Sequence, residues 1–126
     1  MAVSLLLSCS EVEQPVVCTE EFRIYDVTVL SPDGTPASDF QIEVRDPDNG
    51  DLYEICEGVN DCNWTQPGTY VIMHDGFLGK ISEEKETIAV TGTKENMIFE
   101  QEFEFRSGEC HVEKIAGPDT VSLVSN

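Results

Sequence analysis

Basic residues are scarce. The chain of 126 residues holds 7 Lys and Arg against 25 Asp and Glu, and its formal charge is −18 at pH 7. A surface this acidic repels phosphate backbones, so no nucleic-acid partner is expected. It repels anionic lipid headgroups as well, which argues against membrane docking by charge. Long apolar runs are also missing: no stretch reaches the roughly 18 residues of a spanning helix. There is no CxxC pair and there are two histidines, His74 and His111, so a zinc site is not expected. No nucleophile elbow is present. No ten-residue segment carries an apolar stripe at helical spacing, and residues 79–87 allow one helical turn at most.

What is there alternates with period two. In "FQIEVRD", Phe40, Ile42 and Val44 share one face, with Gln41, Glu43 and Arg45 on the other. In "MIFEQEFEFR", Met97, Phe99, Phe103 and Phe105 share a face with Gln101, while Glu100, Glu102, Glu104 and Arg106 face out. "YDVTVL" puts Tyr25, Val27 and Val29 together. Phe22 and Ile24 fall out of phase with them, which calls for a bulge or for contact on both faces. "TYVIMHD" and "ETIAV" read as shorter, more continuously apolar strands. Near the end, alternation points Cys110 and Val112 inward and His111 outward. The runs are separated by "SPDGTP", "DPDNGD", "QPG", "HDG" and "SGE", all turn signals. Hydrophobic residues make up 40%, too many for a disordered acidic chain. The expectation is one all-β domain: an antiparallel Greek-key β-sandwich of about seven to eight strands. It covers residues 20–116, and residues 117–126 form a tail or an edge strand.

The N-terminal stretch "LLSC", residues 6–9, resembles a bacterial lipobox, with an aliphatic residue three before the cysteine and a small one just before it. The resemblance implies residues 1–8 as the remainder of a signal peptide and lipidation of Cys9. Residues 9–19, with the polar "SEVEQP", then form a tether. No Lys or Arg precedes Arg23 and only eight residues precede Cys9, so the basic n-region of a signal peptide is missing from the stretch. A stray N-terminal thiol is the competing reading. Without Cys9, four cysteines remain, and an even number in a small acidic chain fits disulfides in an oxidising compartment. Of the three pairings, Cys56–Cys62 and Cys18–Cys110 are expected. The first closes the short "EGVND" loop. The second clamps the ends of the sandwich, where fraying starts.

The order of features is similar to a known group. "YDVTVLSPDGTPASDFQIEVRDPDNGDLYEI" runs strand, "DG-x-P" turn, strand, "NG" turn, strand, and "QPGTYVIMHDG" adds a "PGTY" strand. This resembles the carboxypeptidase regulatory-like and Cna-B-type domains over residues 20–107. The usual "TDADGxF" stretch is replaced by "CEGVNDCNW". The resemblance implies a transthyretin-like (prealbumin-like) sandwich of the kind that recurs in exported proteins of Bacteroidetes-type bacteria. In these motifs Gly34 can take the positive φ a tight turn needs, Asn49-Gly50 is a hairpin signal, and Gly68 permits a tight turn into the strand begun by Tyr70.

Chemistry is thin. Cys110 and His111 are strand neighbours pointing to opposite faces, and a disulfide removes the thiol. No enzyme activity and no cofactor are expected. Asp46, Asp48, Asn49 and Asp51 offer hard oxygen ligands, but no Glu stands at the twelfth position of a calcium loop. An ordinary acidic hairpin is the preferred reading; if calcium binds, Asp46, Asp48 and Asp51 are its ligands. Asn63-Trp64-Thr65 is a glycosylation sequon, meaningful in an animal secreted protein and not in a bacterium. Trp64 and Tyr70 lie near a loop where a sugar or peptide would be touched, with a core role preferred for Tyr70. The functional expectation is a non-enzymatic exported lipoprotein. It would be an accessory or binding sandwich at the outer membrane or cell surface, held by a lipid anchor, with a protein or glycan partner. The alternative is a secreted structural or adhesion domain without lipid.

Overall fold

A computed structural model describes residues 17–18, 21–55 and 66–124. Cys9, Cys56, Cys62, Asn63 and Trp64 lie outside them, and with them the expected lipidation and the Cys56–Cys62 pairing. Eight strands follow in order: β1 Ile24–Leu30, β2 Gln41–Arg45, β3 Leu52–Tyr53, β4 Thr69–His74, β5 Glu86–Lys94, β6 Met97–Ser107, β7 Val112–Ala116 and β8 Thr120–Ser122. They form two sheets, a three-stranded one in the order β4-β1-β8 and a five-stranded one in the order β3-β2-β5-β6-β7. No α-helix occurs among the described residues; one 3-10 turn, Asp75–Phe77, follows β4.

The longest pairing is the β5–β6 hairpin, in register from Glu86↔Phe105 to Lys94↔Met97. The alternation of β6 is what buries it. Phe103 and Phe105 are 1% and 0% exposed, and Phe99 is buried, whereas Ile98 on the opposite parity is exposed. Each buried Phe is worth about 2–3 kcal/mol of apolar transfer. These rings meet Val27, Val29 and Tyr70 of the other sheet in one core. Phe40 packs on Phe99 with centroids 5.5 Å apart, and Tyr25 meets Phe105 edge-on at 5.3 Å.

Phe22 and Ile24 need no break in β1, whose alternation is continuous from Ile24 to Leu30; the irregularity lies in the partner strand. Tyr25 pairs with Met73 but Asp26 with Val71, so Ile72 is an extra residue in β4. That bulge leaves Ile72 and Met73 both fully buried. Phe22 and Ile24 turn outward and are partly exposed, with Phe22 against the His74 ring at 5.5 Å.

Two expectations are corrected. The sandwich is not wholly antiparallel, because β8 runs parallel to β1 through Thr28↔Thr120, Val29↔Val121 and Leu30↔Ser122. The chain leaves β7 at the edge of one sheet and crosses to the edge of the other, so it arrives in the direction of β1. Part of the C-terminal stretch is therefore an edge strand. The second correction is His111, which is buried, not outward. Alternation does not begin until Val112, because residues 108–111 form a turn closed by Gly108 N–H on the His111 carbonyl at 2.9 Å.

The turn glycines behave as their sequence context requires. Gly34, Gly50 and Gly68 have φ of 88°, 78° and 81°. At Gly68 space is limiting as well, since a Cβ there would lie 2.8 Å from the Cβ of Pro36.

Candidate functional site

The side chains with the most chemistry converge on one end of the sandwich. There the start of β1, the turn after β4 and the start of β7 meet. At the centre is Asp75, whose side chain is 8% exposed. Its Oδ2 accepts the Arg23 N–H at 2.9 Å and lies 2.6 Å from His111 Nδ1. Its Oδ1 accepts the Val112 N–H at 2.9 Å. The Asp75 N–H in turn donates to the Arg23 carbonyl at 3.0 Å. Burial alone raises the Asp75 carboxyl. The hydrogen bonds from Arg23, His111 and Val112 overcome it, and the group lies below the ordinary aspartate range. Tyr25 OH adds a bond to the Val112 carbonyl at 2.6 Å. Beside this group, a disulfide joins Cys18 to Cys110, with their Cα atoms 5.3 Å apart. The expected long-range pairing is therefore present.

Next to the staple, rings line up across both sheets. Phe22, His74 and Phe77 follow at centroid distances of 5.5 and 5.3 Å, and Tyr53 meets Phe77 edge-on at 6.0 Å. His74 Nδ1 accepts the Gly76 N–H and its Nε2 faces the Ile55 carbonyl at 2.9 Å, which fixes the tautomer with the proton on Nε2. Tyr53 OH donates to Glu86. Burial, then that bond to a carboxylate, pushes the phenol well above its ordinary range. The rings are tilted or edge-on to one another, so they pack together and present no flat platform.

Two side-chain oxygens of the acidic hairpin are engaged within it. Asp46 Oδ1 accepts the Asp48 N–H and Asn49 Oδ1 accepts the Asp51 N–H, both at 2.8 Å. Arg45 donates to the Gly50 carbonyl at 2.8 Å. Among the described residues, no three His, Cys, Asp or Glu side chains gather to hold a metal, Asp46, Asp48 and Asp51 included. Tyr70 is fully buried, with its hydroxyl donating to the Ala37 carbonyl at 2.6 Å and accepting the Phe40 N–H at 3.1 Å. It is a core residue that ties the β1–β2 connection to β4.

Asp75 and His111 escape a reading of the sequence. "HDG" signals a local turn, and nothing in it indicates a partner 36 residues away. Carrying the alternation of β7 back through Cys110 points His111 outward, whereas the turn before Val112 buries it.

Fold and site together define a class: a two-sheet β-sandwich with one covalently and electrostatically stapled end. No family model, curated protein or solved structure matches the chain.

Proposed function

We propose that the chain is a non-enzymatic exported β-sandwich module, lipid-anchored through Cys9 at the outer membrane or cell surface. The observation that carries this reading is the Cys18–Cys110 disulfide. Disulfides persist in oxidising compartments, outside the cytosol. This one fastens the chain at the point where residues 9–17 would lead to an anchor. The positive φ of Gly34, Gly50 and Gly68 supports the likeness to carboxypeptidase regulatory-like and Cna-B-type domains, and with it a Greek-key, transthyretin-like strand order. The Asp75–His111 pair favours a structural role over a catalytic one, because both carboxylate oxygens already hold backbone N–H groups. A protein or glycan at the cell surface is the proposed partner class, and the charge of −18 disfavours nucleic acid.

The test is metabolic labelling with a palmitate analogue, followed by fractionation of cells expressing the parent and Cys9→Ala. Label on the parent alone, with the variant released from membranes, is the expected result. An unlabelled parent recovered in the medium supports a secreted, non-lipidated domain in its place.

A further inference from the structure

We propose that the Cys18–Cys110 disulfide and the Asp75 staple form a tension-bearing latch that carries force from the N-terminal segment into β7, so that β1–β6 cannot be unravelled. The proposal rests on the anchored reading for the source of the tension alone. The mechanics follow from connectivity.

The bridged cysteines are 92 positions apart, and β1 to β6 all lie between them. Only β7 and β8 fall outside the closed loop. Tension that reaches residue 18 passes through the sulfur pair to residue 110, and the enclosed chain is bypassed. The latch therefore has to hold at the start of β7, and the contacts are concentrated there. Asp75 grips His111 Nδ1 and Val112 N–H. Tyr25 OH holds the Val112 carbonyl, and Gly108 N–H holds the His111 carbonyl. Arg106 lies 3.0 Å from Glu113. The charge-assisted bonds among these are stronger than neutral ones, and the Asp75 group is shielded from water.

Opening the disulfide reroutes the load. Tension then enters β1 at Arg23, and its parallel neighbour β8 is drawn the opposite way by the chain beyond it. The register Thr28↔Thr120 to Leu30↔Ser122 and the bond from Leu123 N–H to the Leu30 carbonyl are loaded in shear, several at once. Once they yield, the enclosed strands are no longer retained by a Cys18–Cys110 bridge.

Single-molecule stretching of the full chain between terminal handles tests this. The oxidised protein should lengthen on rupture by roughly 50 Å only, the reach of the residues after Cys110 at about 3.5 Å each. With dithiothreitol the gain should increase by about 320 Å, the extended length of the enclosed span. Cys18→Ser should give the long gain without reductant, which separates this bond from those of the other cysteines. Asp75→Asn, kept oxidised, should rupture at lower force with the same short gain. A long gain from the oxidised parent overturns the proposal. So does an Asp75→Asn rupture force equal to the parent's. Loss of palmitate labelling would sink the anchored reading and leave these lengths untouched.

Discussion

The Asp75 carboxylate serves three donors from two distant parts of the chain, and its removal should be felt at both. Asp75→Asn should cost about 2 kcal/mol, because an amide oxygen replaces a charged acceptor at a buried site. The pH dependence has a defined sign. The folded carboxyl lies below the unfolded value of about 3.9, so its stabilisation is complete above that value. It is lost as pH falls through the folded value. Chemical denaturation between pH 6 and pH 2 should show an acid-side decline that is shallower in Asp75→Asn. Glu95 presents the opposite case. It occupies the β5–β6 turn at φ 54°, a region that disfavours side chains. Glu95→Gly should raise stability by about 0.5–1 kcal/mol in urea melts.

At the level of elements, β6 and β5 meet most tightly where Phe99 lies across Gly92. A Cβ at Gly92 would come within 2.1 Å of the Phe99 ring. Gly92→Ala should therefore destabilise by about 1–3 kcal/mol, through overpacking and not through loss of a turn, and Phe99→Leu should recover part of it. A double-mutant cycle measures the recovery. The strands themselves were legible from alternation. Phe40, Val44, Phe99, Phe103 and Phe105 are buried as the period-two pattern of β2 and β6 requires. Continuous apolarity marked β4, in which Thr69 to Met73 are all buried, on both parities. The parallel course of β8 was not legible. Three residues of a strand carry no signal of direction, which is set by a crossover between sheets. The buried Asp75–His111 pair was hidden for a related reason, since local patterns do not encode partners brought together by the fold.

For the whole molecule, the cross-link sets the scale. In the chain-entropy model a bridge between positions 92 apart contributes about 4–5 kcal/mol. Cys18→Ser should lower the melting temperature by roughly 15 °C in calorimetry, given the unfolding entropy of a domain this size. Non-reducing peptide mapping should recover a Cys18–Cys110 peptide. A charge of −18 also makes the folded state repel itself, so raising sodium chloride from 10 to 300 mM should increase the melting temperature.

The parallel pairing of β1 with β8 has a consequence for biosynthesis. β1 is made before both of its sheet neighbours and sits between them, β4 on one side and β8 on the other. One of its two edges stays unsatisfied until residue 122 has been polymerised. The five-stranded sheet is available earlier, its strands being complete by residue 116. A nascent chain with β7 clear of the ribosome and β8 still enclosed would thus carry one finished layer and one ragged layer. Closure of the three-stranded sheet awaits β8, whose pairing with β1 joins segments made far apart in the chain, the kind of non-local contact that forms slowly.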